Sequence, residues 1–254
     1  MIRGGVPARI QASVIPPRDR LIVALDVPTA QAARELVQEL GESVYFYKVG
    51  LQLFAAEGPA LVRELKASGR KVFLDLKLHD IPNTVASAVQ AMISLQVDLL
   101  TVHAAGGLQM MKAAVQSAAS AANSPKILAV TVLTSFTDQD LSMTGIANRT
   151  ADQVSRMTAL AREAGCSGVV SSALEVPLLR RQFGQDLVIL VPGVRPKGSH
   201  ADDQARTAEP AEAIVAGASY LVVGRPITAA ENRRAAAEAI QKEISSTLSR
   251  AVPV

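Results

Sequence analysis

From Leu21 onward, short β-branched runs alternate with Ala-rich stretches of helical spacing, and each run gives way to a polar or Gly-containing turn. The runs that read as strands are Leu21 to Asp26, Val44 to Val49, Val72 to Lys77, Leu99 to His103, Ile127 to Leu133, Gly168 to Ser171, Leu187 to Val191 and Tyr220 to Gly224. Helices are predicted over Thr29 to Leu40, Pro59 to Ser68, Val85 to Gln96, Leu108 to Ala119, Ala151 to Ala164, Glu209 to Ala216, and Thr228 to Ser249. Eight strand-helix units in roughly 230 residues fit an α/β protein of the (β/α)8 TIM barrel type, which typically takes about 250. A doubly wound open sheet is the alternative, but it normally carries a Gly-rich fingerprint after its first strand, and Asp26-Val27-Pro28-Thr29 is not one. Residues 1–19, with Pro7, Pro16 and Pro17, read as an irregular lead-in, and residues 20–254 as a single barrel domain.

Composition narrows the classes. A chain of 254 residues with 49% apolar side chains can bury a large core, which excludes disorder. Its apolar runs fall short of the ~18 residues needed to span a bilayer, so no membrane partner is expected. Basic residues number 26 against 23 acidic ones, spread along the chain, so the pI near 9.2 marks a small imbalance rather than a basic arm. With aromatics at 3% and no Trp, few rings are available to stack bases, and nucleic acid is disfavoured as a partner. The single cysteine, Cys166, excludes an intramolecular disulfide, and the opening residues lack an apolar signal region; both lead to an expectation of a cytoplasmic protein. Cys166 has no basic neighbour to make it a thiolate and reads as a small buried hydrophobe. Small-molecule chemistry remains.

In a parallel barrel, active sites gather where strands end, at the C-terminal face. Here strand one ends in Asp26, strand two in Lys48, strand three in Asp75 and Lys77, and strand eight runs into Gly224-Arg225, so the charges are expected at one rim. Alternation through Lys71-Val-Phe-Leu-Asp75-Leu-Lys77-Leu-His-Asp80 puts Val72, Leu74, Leu76 and Leu78 on one face and Phe73, Asp75 and Lys77 on the other. The apolar face must pack on helices, so Asp75 and Lys77 point into the barrel mouth, with Asp80 beside them in the loop. The same parity groups Lys48 with Phe46 and Val44, and Asp26 with Ala24 and Ile22. Two readings of this cluster stand: an ion-pair network that only satisfies itself, or a proton-transfer site in which carboxylates keep a lysine charged. A Schiff-base lysine would want desolvation or a cationic neighbour, whereas Lys77 is flanked by acids; general acid is the better role.

A second constellation suits phosphate. Val191-Pro192-Gly193-Val194-Arg195-Pro196 follows strand seven and Gly224-Arg225-Pro226-Ile227 follows strand eight, the loops that often bind phosphate in these barrels. Arg225 can fork onto a phosphate, and backbone amides at a helix start can donate to it. Taken singly, these strings are ordinary turns. The polar stretch from Arg195 to Gln204 is consistent with a loop closing over substrate. His79, His103 and His200 are too scattered for metal-ligand spacing and read as structural or solvated. Leu133-Thr134-Ser135-Phe136 offers hydroxyls to a polar ligand, or a capping turn.

Taken together, these strings resemble the orotidine 5'-phosphate decarboxylase family, in particular its bacterial branch, from about Arg20 to the last helix. The resemblance is carried by Leu21-Ile-Val-Ala-Leu-Asp26, Tyr47-Lys48-Val-Gly50, Phe73-Leu-Asp75-Leu-Lys77-Leu-His-Asp80-Ile-Pro-Asn-Thr84-Val, Thr131-Val-Leu-Thr134-Ser135, Pro192-Gly-Val-Arg195-Pro and Val223-Gly224-Arg225-Pro-Ile. It implies decarboxylation of orotidine 5'-monophosphate to UMP, without metal or cofactor, by a tetrad of Lys48, Asp75, Lys77 and Asp80. It implies a homodimer, with Asp80 and Thr84 reaching into the neighbouring site. Asp26 and Lys48 would meet the ribose hydroxyls, and Thr134 and Ser135 the pyrimidine. Pro192, Arg195, Gln204, Gly224 and Arg225 would serve the closing loop and phosphate. Val191 departs from the Thr of many relatives, and the lead-in is longer than usual. Metal-dependent relatives acting on sugar phosphates share Asp-x-Lys-x-x-Asp but place an acidic residue at the end of strand two; Lys48 stands there in this chain. A barrel that merely binds a phosphorylated metabolite would have no need of the tetrad.

Overall fold

The computed structural model describes residues 15–121, 123–197 and 208–251. The strands β1 (Leu21–Ala24), β2 (Phe46–Gly50), β3 (Lys71–Leu78), β4 (Leu99–His103), β5 (Lys126–Val130), β6 (Gly168–Val170), β7 (Val188–Val191) and β8 (Tyr220–Val223) are all parallel and close in sequence order, β8 pairing with β1. Around them run α1 (Ala30–Leu40), α2 (Leu51–Glu57), α3 (Pro59–Ala67), α4 (Pro82–Ile93), α5 (Gly107–Ala118), α6 (Asp138–Met143), α7 (Thr150–Ala164), α8 (Val176–Phe183), α9 (Pro210–Ala216), α10 (Arg225–Thr228) and α11 (Arg233–Ala251). The (β/α)8 barrel expected from the sequence is present, with each strand in the place assigned to it. Among the described residues no helix is long and apolar enough to cross a membrane.

Strand alternation builds two apolar layers. Ile22, Ala24, Phe46, Phe73, Leu99, Leu128, Val188 and Val222 fill the barrel interior, where the Phe46 and Tyr220 rings meet edge to face at 5.9 Å. Val23, Tyr47, Leu74, Leu100, Ala129 and Leu221 face outward and pack under the helices. Val44 belongs to this outer layer, so its grouping with Lys48 does not hold. The strand starts only at Phe46, and alternation cannot be counted back beyond it. Cys166, expected to be buried, is partly buried against the outer layer, and desolvation pushes its thiol up to about 12.

Some helices depart from the sequence reading. The helix expected from Thr228 onward starts only at Arg233, as α11; residues 229–232 separate it from the short α10, which ends at Thr228. The short α2, α6 and α8 had no counterpart. α6 is held by reciprocal capping, in which Asp140 N donates to Thr137 Oγ1 at 3.3 Å and Thr137 N donates to Asp140 Oδ2 at 2.8 Å.

Charge is not confined to one rim. At the N-terminal end of the barrel Lys66 pairs with Asp98, and Lys71 with the buried Asp19, each at 2.7 Å. Lys66, Lys71, Asp98 and Lys126 line a cavity of about 460 Å³. Nearby, the buried Arg180 donates to the carbonyls of Gly184, Leu187 and Gly217. The turns entering the strands bury carbonyl groups that need donors, and charged side chains supply them. Ile15, 6% exposed, joins the interior layer just before a 3-10 turn at Pro17–Asp19, so the end of the lead-in is packed onto the barrel.

Candidate active site

At the C-terminal face, the side chains expected to converge do so as a chain of alternating charge. Lys48 Nζ stands 2.7 Å from Asp26 Oδ1 and 4.0 Å from Asp75 Oδ2, and Lys77 Nζ is 2.8 Å from the same Asp75 oxygen. The side chains of Lys48 and Asp75 are each 12% exposed, whereas that of Asp26, at the outer end, is 60% exposed. Pairing lets ammonium and carboxylate groups sit over an apolar barrel interior, because each charge removed from water faces an opposite one.

Register explains the convergence. β1 sets Ala24 beside Lys48, and β2 sets Gly50 beside Asp75. A Cβ on Gly50 would lie 2.9 Å from Lys48 Nζ and 3.3 Å from Asp26 Oδ1, so the missing side chain leaves room for the pair. Between β3 and β4 the register shifts: Leu74 pairs with Leu100, but Leu78 pairs with Val102. Asp75, Leu76 and Lys77 therefore oppose Thr101 alone, and Lys77 takes up φ 50°, a left-handed backbone that costs a non-glycine residue about 1–2 kcal/mol. Thr101, fully buried, accepts from Lys77 N at 2.9 Å and donates to Asp75 Oδ1 at 2.9 Å.

Asp80, expected from the sequence as the fourth member of the tetrad, does not join this network. Its Oδ1 accepts from Ile81 N at 2.6 Å, and among the described residues it forms no ion pair with Lys48 or Lys77. His79, Asp80, Ile81, Pro82, Asn83 and Thr84 are all exposed, Ile81 to 66%, beside a hollow of about 530 Å³ floored by Ala105 and Gly106. The histidines are less scattered than their spacing implies: the rings of His79 and His103 stack at the rim. His103 Nδ1 accepts from Ala105 N at 3.2 Å, a structural cap, while burial, then His79 and Lys77, lower its pKa.

The loops after β5, β7 and β8 complete the face. Thr134 and Ser135 occupy a turn closed by Phe136 N donating to Leu133 O at 2.9 Å, and Leu133 packs on the interior layer. Pro192 precedes Gly193, at φ 72°. Val194 bridges to Ala208, and Arg195, 8% exposed, turns an Nη1 hydrogen bond onto Val194 O. Gln204 and His200 lie outside the described residues. Gly224 is close to the start of the charge chain, since a Cβ there would come within 3.9 Å of Asp26 Oδ2; the exposed Arg225 opens α10 just after it.

Two rim positions escape a reading of the sequence. Thr101 could have been found as a polar residue between Leu99 and His103 on the inward face of β4. Gly50 had no such signal, because its role depends on what lies across β1 and β2.

Fold and rim define a (β/α)8 barrel that presents an alternating Asp–Lys chain, beside the loops after β7 and β8, at the face where such barrels hold small ligands. The chain belongs to the orotidine 5'-phosphate decarboxylase / HUMPS family, whose model matches residues 19–240. It is 52% identical over 233 residues to the orotidine 5'-phosphate decarboxylase of Moorella thermoacetica, covering 89% of this chain and 92% of the relative. The Nitrosococcus oceani enzyme of that name is 46% identical, covering 90% of this chain and 99% of the relative. Among solved structures, orotidine 5'-phosphate decarboxylase from Lactobacillus acidophilus superposes with a TM-score of 0.80 at 40% identity, covering 88% of this chain and 98% of that one.

Proposed function

We propose that this protein decarboxylates orotidine 5'-monophosphate to UMP in pyrimidine biosynthesis, without metal or cofactor. The observation that carries the reading is the chain from Asp26 through Lys48 and Asp75 to Lys77, in a member of this family. The C6–carboxylate bond breaks, CO2 departs, and the electron pair stays at C6 in an in-plane orbital that the ring's π system cannot delocalise. Stabilisation is then electrostatic, and the Lys77 ammonium supplies it before transferring a proton from Nζ to C6 and regaining one from solvent. Asp75, held by Lys48, Lys77 and Thr101, faces the substrate carboxylate and crowds its negative charge until CO2 leaves. Lys48 and Asp26 hold the ribose hydroxyls. Thr134 and Ser135 meet the pyrimidine, and Pro192, Arg195, Gln204, Gly224 and Arg225 serve the phosphate, whose binding energy helps close the site.

The active unit in this reading is a homodimer, with Asp80 and Thr84 directed to the neighbouring site. Their exposure, and the lack among the described residues of an ion pair between Asp80 and Lys48 or Lys77, support it. A cytoplasmic setting fits a chain whose single cysteine can form no internal disulfide. The test is to mix purified protein with orotidine 5'-monophosphate and excess EDTA and follow the orotate absorbance. Loss of absorbance with release of UMP is expected. Unchanged absorbance, or turnover only with added Mg2+, would overturn the assignment.

A further inference from the structure

We propose that Thr101 is a positioning residue for the reaction, its hydroxyl tying the β3 bulge so that Asp75 and Lys77 stand opposed. On the inward face of β4, Leu99 is apolar and Thr101 is fully buried beneath the rim. Packing alone would accept Val there, which has the same branched shape; the hydroxyl is what needs an explanation.

Its hydrogen bonds supply one. A carboxylate accepts only, so the single hydroxyl proton goes to Asp75 Oδ1 at 2.9 Å, leaving the lone pairs to receive Lys77 N at 2.9 Å. Thr101 thus grips both ends of the Asp75–Lys77 segment, the side chain of one and the backbone of the other. Across this segment the β3–β4 ladder slips, so β4 offers Lys77 N a side-chain acceptor where the ladder is interrupted. Lys77 also sits at φ 50°, which an L residue keeps only when its surroundings enforce it. The third contact of the group, Lys77 Nζ to Asp75 Oδ2 at 2.8 Å, then uses the carboxylate oxygen that Thr101 leaves open. With the hydroxyl removed, Asp75 can rotate and Lys77 can relax toward ordinary strand geometry.

This inference rests on the decarboxylase reading, and the test separates the two. Thr101→Val, Thr101→Ala and Thr101→Ser are compared with the unaltered protein for kcat, KM and UMP affinity. Exchange of the Lys77 amide is followed by NMR. Thr101→Val is expected to lower kcat by about 10- to 100-fold, as misplacement of reacting groups does. KM and UMP affinity should stay within about threefold, since the phosphate and ribose contacts are untouched. Thr101→Ser should restore most of kcat and the slow amide exchange, whereas Thr101→Ala should match Val on both. Thr101→Ala also serves if the Val chain does not fold. Wild-type kcat in Val or Ala, a Ser variant as impaired as Ala, or unchanged Lys77 exchange would overturn the role of Thr101. An unaltered protein without turnover would instead refute the decarboxylase reading, with the exchange data still deciding whether Thr101 holds the bulge.

Discussion

The rings of His79 and His103 stack 5.5 Å apart with an interplanar angle of 20°, joining the loop after β3 to the end of β4. Burial, then the neighbouring His79 and Lys77, hold the His103 pKa below its ordinary 6.5. The unfolded chain therefore takes up a proton near pH 6.5 that the folded chain resists, so stability falls as the pH drops below that value. Above it, His103 contributes no slope. Protonation would also remove the acceptor that caps Ala105 N. Replacing His103 with Gln, which cannot ionise, should shrink the difference in melting temperature between pH 7.5 and pH 5.5. Identical differences in the two proteins would refute this account.

Gly50→Ala should separate activity from stability. The new Cβ would fall 2.9 Å from Lys48 Nζ, the end of a flexible side chain that can swing aside. The backbone at Gly50, φ −94°, suits any residue, and Ala lowers the entropy of the unfolded chain. Melting should thus stay level or rise slightly, while kcat/KM falls by about 10- to 100-fold because Lys48 leaves Asp26 and Asp75. A variant with undiminished turnover would show that the Lys48 position is not critical.

Gly168→Ala should do the reverse. There the Cβ would sit 2.1 Å from the Val188 carbonyl oxygen, and backbone in a closed barrel cannot step aside without disturbing β6 and β7. Overpacking of this kind costs about 1–3 kcal/mol, so the melting temperature should drop by several degrees. The rim lies at the other end of the strands, and residual kcat in the folded fraction should be near normal. A melting temperature equal to the unaltered protein's would contradict the close approach.

The contrast between these two glycines shows how far the sequence could be read. Alternation along β3 put Asp75 and Lys77 inside, because apolar residues at every second position leave no other side for them. The order of strands followed from their spacing, since parallel strands joined by helices have few ways to close. What escaped depends on neighbours in space. The β3 bulge needs the pairing with β4, and the basal pairs Lys66–Asp98 and Lys71–Asp19 join residues far apart in the chain. The short α2 and α6 lack the length over which helical spacing becomes visible.

Asp80 offers the sharpest test of the proposed sharing of a site between two chains. Its carboxylate caps Ile81 N on an exposed segment, apart from the Lys48–Asp75–Lys77 chain of its own barrel. Lys77→Ala alone should bind UMP yet lose turnover by about 10²–10⁴-fold or more, as removal of a general acid does. Asp80→Ala alone should also be severely impaired. If each site takes Lys77 from one chain and Asp80 from the other, a mixed dimer holds one site with both defects and one with neither. Equal amounts of the two variants, unfolded and refolded together, would then form mixed dimers in half of all pairings and recover roughly a quarter of the unaltered activity. A mixture that stays as inactive as its components would place Asp80 in its own chain's site or outside the chemistry, as would a protein that remains monomeric by light scattering at assay concentration.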